Sequence, residues 1–230
     1  MLGIYAINIE KNQDHICLPG LLQYTSSGKQ RRVNALNNPE EARRVLVGDL
    51  LIRSITCRYH NVRNDQLLFE NNQYGKPYLK GIENFCFNIS HSGRWVACAV
   101  DHQPVGIDIE EMAPIELDVA RHYFSAEEFA YIANQPESER TATFYDIWTL
   151  KESYIKALGW GLSKDLNSFT VKLIPDGKAV LSESPGHCPV YLRQYEIDKE
   201  YRLSVCAFNS SFPDRIKTVD IGWILAPIQP

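Results

Sequence analysis

No apolar run in this 230-residue chain approaches the roughly 20 residues a helix needs to cross a bilayer. Met1–Ile9 is too short for the hydrophobic region of a signal peptide, and Glu10 and Lys11 follow at once. These absences lead to the expectation of a soluble cytoplasmic protein without membrane contact. The six cysteines (Cys17, Cys57, Cys86, Cys98, Cys188 and Cys206) include no C-x-x-C pair. That argues against a zinc ribbon. They are read as buried free thiols in a reducing compartment, Cys57 in a helical pattern and Cys86, Cys98 and Cys206 in strand-like runs. Neither G-x-x-x-x-G-K-[ST] nor G-x-G-x-x-G occurs, so nucleotide chemistry of those familiar kinds is not indicated. Positive charge is not in surplus: the net charge is −4, which excludes nucleic acid as a partner of the whole surface.

Composition is that of an ordinary globular protein, 44% hydrophobic and 23% charged, long enough to bury a core without covalent staples. Charge is uneven, however. Between Lys29 and Arg63 eight basic residues stand against three acidic ones, which is either a solvated face or an anion-binding edge. A strand is expected over Gly3–Glu10. A helix follows over about Glu40–Tyr59, with Val47, Leu50, Leu51 and Ile55 on one face. Extended pieces follow at Phe85–Ile89, Trp95–Val100 and Val105–Glu110, with a joint at Gln103–Pro104. Ser125-Ala-Glu-Glu128 is a capping box, and Phe124 with Phe129 fits a hydrophobic staple, so a helix starts at Ser125. A further helix spans about Thr141–Leu158, stopped by Gly159 and Gly161. Strands return at Phe169–Ile174, Val190–Ile197 and Arg202–Phe208.

Two echoes connect the halves. Ile7-Asn8-Ile9-Glu10 resembles Ile107-Asp108-Ile109-Glu110, and Val96-Ala97-Cys98-Ala99-Val100 resembles Ser204-Val205-Cys206-Ala207-Phe208. Their order predicts an α+β fold built of two similar halves, residues 1–103 and 104–230, with a ligand site between them.

Asp108 and Glu110 alternate with Val105, Ile107 and Ile109, so both carboxylates share one strand face while the apolar residues enter a core. Alone, this is an exposed strand face. The segment Trp148-Thr-Leu-Lys-Glu-Ser-Tyr-Ile-Lys156 changes the balance. Its helix must bury Trp148, Ile155 and Leu158, yet it sets Glu152 at the edge of the same stripe, where a carboxylate needs compensation. Three oxygen donors without His or Cys describe a hard-cation site, Mg²⁺ above all, completed by water and substrate phosphate. Lys156 lies one turn beyond Glu152, either as an exposed ion-pair partner or aimed at that phosphate. Tyr74-Gly75-Lys76-Pro77 forms a turn open to a ligand, and Phe87-Asn88-Ile89-Ser90-His91-Ser92-Gly93 ends a strand in possible anion donors.

Together Gly75-Lys76-Pro77, Phe87–Ser92, Val105-Gly-Ile-Asp-Ile-Glu110 and Trp148–Lys156 resemble a 4′-phosphopantetheinyl transferase of the surfactin-synthetase-activating type. The last two motifs lie about 40 residues apart and are highly specific, and the resemblance covers essentially the whole chain. It implies a pseudo-two-fold α+β fold with coenzyme A between the halves. It also implies transfer of the 4′-phosphopantetheine arm to a serine of peptidyl or acyl carrier proteins, releasing adenosine 3′,5′-bisphosphate, in peptide or polyketide (antibiotic) synthesis. The family pattern carries metal onto Asp108, Glu110 and Glu152, with Glu152, Lys156 and Asp108 catalytic. It carries coenzyme A onto Tyr74, Gly75, Lys76 and Pro77 at the adenine end, Ser90, His91, Ser92 and Lys156 at phosphate, and Lys29, Arg32 and Arg44 at the 3′-phosphate. The family often has a small hydroxyl residue where this chain has Val45. Carrier contact is expected over Met112–Phe124, with Phe124 serving equally as core staple or partner contact. A monomer is expected. Two alternatives remain at this point: a Mg²⁺-dependent coenzyme A or nucleoside diphosphate hydrolase, and a non-catalytic carrier-binding module.

Overall fold

A computed structural model describes residues 1–12, 14, 16–161, 164–182 and 189–229. The first half starts with β1 (Gly3–Asn8) and two short helices, α1 (Leu18–Leu22) and α2 (Ser27–Asn34). The long helix α3 (Pro39–His60) follows, then the hairpins β2 (Phe69–Asn71)/β3 (Pro77–Leu79) and β4 (Cys86–Ser92)/β5 (Trp95–Asp101). The second half has β6 (Val105–Glu111), α4 (Leu117–Tyr123), α5 (Ala126–Ala133) and the long α6 (Glu137–Leu158). Next come β7 (Val171–Ile174), β8 (Lys178–Leu181), β9 (Tyr191–Tyr195) and β10 (Tyr201–Ala207), and the chain closes with β11 (Lys217–Thr218) and α7 (Ile221–Leu225).

The sequence echo has a structural counterpart. β1 pairs antiparallel with β5, Ile7 opposite Val96, and β6 pairs antiparallel with β10, Ile107 opposite Val205. Each half thus pairs its first strand with a later one after a long helix. The sheets run β11-β1-β5-β4 and β6-β10-β9-β8-β7. Alternation decides what lies between them. Ile4, Ala6, Ala97 and Ala99 of the first sheet meet Ile107, Ile109, Leu203 and Val205 of the second in one buried cluster. The opposite faces are covered by the two long helices, α3 with Leu46, Leu50 and Ile55 and α6 with Leu150, Tyr154 and Ile155. The result is four layers: helix, sheet, sheet, helix. The final segment returns to the first half, where β11 adds to β1 and Val219, Ile221 and Ile224 join the α3 core.

Local chemistry sets the helix ends. The Asn38 side chain accepts from the amides of Glu40 and Glu41, with Pro39 at the first helical position, and α3 stops at Asn61 in the left-handed region. The capping box at Ser125 forms as expected, and Phe124 and Phe129 share one cluster. α6 begins at Glu137 rather than Thr141. Its first turn is polar and acidic, which suits a helix N-terminus but leaves no apolar periodicity to read. Trp148 and Leu158 are only partly buried, because α6 shares its faces between two clusters. Cys57, Cys98 and Cys206 are buried thiols, whereas Cys17 is exposed beside the short α1 and Cys86 is half-buried; Cys188 lies outside the described residues. Among the described residues no helix is long and apolar enough to cross a membrane.

A buried ion pair holds the second half together. Lys151 Nζ donates to both oxygens of Glu128 (2.6 and 2.7 Å) and to the Phe169 carbonyl (2.5 Å). Glu128 also accepts from the amides of Ser125 and Val171, so each lone pair facing the core has a donor. Burial pulls the Lys151 amine below its usual range against the opposing pull of Glu128.

Candidate active site

Edge strands β4 and β6 meet where the two sheets abut, joined by side chains instead of a backbone ladder. Asn88, Ser90 and Ser92, spaced by two on β4, accept from the amides of Ile107, Ile109 and Glu111 on β6 (2.9, 3.3 and 3.1 Å). Ser90 Oγ donates to Asp108 Oδ1 (3.0 Å), and Ser92 Oγ donates to Glu110 Oε2 (2.8 Å). The stretch expected to be a donor loop is therefore strand as far as Ser92, and its two hydroxyl protons are spent on carboxylates.

From the other side α6 brings Lys156, whose ammonium donates to Asp108 Oδ1 (2.5 Å) and Ser90 Oγ (3.0 Å). α6 can lie this close because β6 has no side chain at Gly106. A Cβ there would stand 1.9 Å from the Ser153 carbonyl oxygen and 2.5 Å from the Ala157 nitrogen. Asp108, Glu110, Glu152 and Lys156 thus form one electrostatic cluster. Glu110 is raised to about 7, first by burial and then by the charge of Asp108. Glu152 is raised by burial and by Asp108, against Lys156.

These residues fit a divalent cation. Asp108 is 1% exposed, and its Oδ2 is buried without a hydrogen-bond partner among the described residues, a costly state for a carboxylate oxygen. The donor set is all oxygen, as a hard cation prefers. Among the described residues no three His, Cys, Asp or Glu side chains form a ready-made cage.

Beside this seam a cleft of about 310 Å³ brings together Lys29, Arg32, Gly75, Pro77 and Ile89. Lys29 is held at its rim by Asp49 (3.2 Å), which is itself bound by Arg53 (2.6 Å). Neither Asp49 nor Arg53 is among the residues expected from sequence. Their signal was a charged i,i+4 pair inside an otherwise apolar helix. The other expected residues divide. Tyr74 is 47% exposed. Arg44 is tied to Glu41 (3.0 Å) and to the Gly93 carbonyl (3.1 Å), and His91 lies 3.8 Å from Glu41, with its imidazole pushed down by burial. Lys76 turns away from the cleft, and its ammonium meets the carbonyls of Val105, Lys156 and Ala157 (3.0, 2.6 and 3.3 Å). Phe124 is 3% exposed and packs with tilted rings against Phe144 and Trp148, a core residue; Val119 and Tyr123 are the exposed apolar residues of α4.

A cluster of three carboxylates and one lysine thus lies beside a basic cleft at the seam of the two sheets, a charge pattern suited to an anionic ligand. The family profile described as the 4′-phosphopantetheinyl transferase superfamily matches residues 104–206, and that described as 4′-phosphopantetheinyl transferase, N-terminal, matches residues 18–103. The 4′-phosphopantetheinyl transferase Sfp of Bacillus subtilis (strain 168) is 38% identical over 224 residues, 97% of this chain and 100% of that protein. The 4′-phosphopantetheinyl transferase psf-1 of Bacillus pumilus is 43% identical over 208 residues, 89% of each chain. The 4′-phosphopantetheinyl transferase gsp of Aneurinibacillus migulanus is 32% identical over 211 residues, 92% of this chain and 88% of that one. This chain belongs to the 4′-phosphopantetheinyl transferases.

Proposed function

We propose that this transferase moves the 4′-phosphopantetheine arm of coenzyme A to a serine hydroxyl of peptidyl and acyl carrier proteins, releasing adenosine 3′,5′-bisphosphate, with Mg²⁺ as cofactor. The observation that carries the site assignment is the buried Asp108 Oδ2, without a hydrogen-bond partner among the described residues, amid the raised carboxyls of Glu110 and Glu152. Asp108, Glu110 and Glu152 would hold the cation. When bound, magnesium supplies charge neutralisation at the pyrophosphate and at the departing bisphosphate. Lys156 adds fixed positive charge beside the same oxygens. Glu152 accepts the serine proton, directly or through one water, and burial and the charge of Asp108 raise its proton affinity above that of a free carboxylate. Lys29 and Arg32 bind the 3′-phosphate across the cleft, Gly75 and Pro77 border the adenine, and Ser90, His91 and Ser92 lie along the phosphates. Arg44 supports that row through Gly93.

Labour divides between residues 1–103, on the nucleotide side, and 104–230, on the reacting side. The carrier docks over residues 112–124, with Val119 and Tyr123 as apolar contacts. The protein works in the cytoplasm as a monomer, away from membranes, and activates peptide or polyketide synthetases for antibiotic synthesis.

Release of adenosine 3′,5′-bisphosphate from coenzyme A, followed with and without an apo peptidyl carrier, tests the reaction. Release only with carrier is expected. Release without carrier would mean hydrolysis, and no release with either a peptidyl or a fatty-acid carrier would mean a binding module.

A further inference from the structure

The turn between β2 and β3 has two working faces. Asn71, Gly75 and Pro77 line the nucleotide cleft. Asn72 and Lys76 point the other way and meet the C-terminal end of α6. A helix ends with carbonyls that have no partner within the helix. In α6 two of these, of Lys156 and Ala157, are taken by the Lys76 ammonium, which also holds the Val105 carbonyl at the start of β6. The Asn72 amide donates to the next carbonyl outside the helix, that of Gly159 (3.0 Å). The turn itself is closed, since Asn72 Oδ1 accepts from the amides of Tyr74 and Lys76 (both 2.9 Å). Glycines let the parts approach. Gly159 has φ +71°, and a Cβ there would lie 3.1 Å from Lys76 Cδ; Gly161 has φ +59° and packs on the Tyr74 carbonyl.

We propose that Asn72 and Lys76 are positioning residues for Lys156: a helix cap supplied by the first half that fixes the last turn of α6 and couples the nucleotide cleft to the lysine facing the phosphates. This rests on the assignment of Lys156 as a phosphate contact. All three donors of Lys76 are directed at main-chain carbonyls, one of them the carbonyl of Lys156 itself, so Lys76 acts through the backbone that carries Lys156 and not as a ligand of the nucleotide. A misplacement of about 1 Å at such a residue costs on the order of 100-fold in rate.

A double-mutant cycle tests it with coenzyme A and an apo carrier. Lys76→Met should lower kcat about 10- to 100-fold while KM for coenzyme A changes less than about threefold. In a Lys156→Ala background the same change should alter kcat less than about twofold, because the group being positioned is gone. A raised KM with unchanged kcat would make Lys76 a ligand and overturn the proposal. So would losses that multiply in the double variant, or an unaltered kcat. Should Lys76→Met lose its cooperative unfolding transition, Asn72→Ala enters the cycle with the same expectations. A Lys156→Ala enzyme with full kcat would instead overturn the assignment of Lys156.

Discussion

Replacing Lys151 by Met removes one partner of an ion pair whose side chains are 0% and 1% exposed. Losing one member of such a pair costs roughly 3–5 kcal/mol, because the remaining charge stays buried. Here Glu128 keeps two amide donors, Ser125 and Val171, which puts the cost at the lower end, about 3 kcal/mol. In a chain of this size about 2–4 °C accompanies each kcal/mol, so the melting temperature should fall by about 6–12 °C. Adding Glu128→Gln should return part of the loss, since a neutral amide tolerates burial better than an unpaired carboxylate. Urea and thermal unfolding followed by circular dichroism measure both. Activity separates this lysine from its neighbour: well below the transition, the Lys151→Met enzyme should keep its KM for coenzyme A and a kcat within about threefold. A loss of stability under about 1 kcal/mol with unchanged cooperativity would refute the reasoning.

Gly106→Ala should destabilise by about 3 kcal/mol or more and sharply lower kcat, since the new Cβ meets helix backbone that cannot swing aside; urea unfolding and steady-state kinetics check it. Lys29→Ala and Arg32→Ala should each raise KM for coenzyme A about tenfold, one charge-assisted bond, yet leave 3′-dephospho-coenzyme A nearly unaffected. A raised folded-state value means that Glu110 holds its proton more tightly folded than unfolded. Metal-free protein should then lose stability as pH rises from about 4.5 to about 7. Added Mg²⁺ should therefore raise the melting temperature more at about pH 8 than at about pH 5. A pH-independent increment in thermal-shift measurements would contradict this.

Period-2 and period-3.6 patterns made much of this fold legible in the sequence. Ile107 and Ile109 entered the inter-sheet core and left Asp108 and Glu110 facing α6, as alternation requires. The short α1, α2, α4, α7, β2, β3, β8 and β11 were missed because two to eight residues are too few to show a hydrophobic period, and β11 pairs with β1 from more than 200 residues away. Side-chain destinations were the least readable. Lys76 read as a contact at the adenine end and Lys156 as a lysine near phosphate, yet the Lys76 ammonium meets carbonyls at the end of α6 while that of Lys156 meets Asp108. Ser90 and Ser92 read as anion donors, and the spacing they share with Asn88 also lets them accept from the amides of β6. Val45, where a hydroxyl was expected, is 7% exposed within the α3 core.

In the function proposed above, Asp108, Glu110 and Glu152 run a metal-dependent transfer onto carrier serine. Intact-mass analysis of an apo peptidyl carrier incubated with enzyme, coenzyme A and Mg²⁺ tests it most directly, repeated with EDTA and with Asp108→Asn. A gain of one phosphopantetheine arm on the carrier serine, lost in both controls, is the expected result. Full modification in the presence of EDTA, or by the Asp108→Asn enzyme, would contradict it.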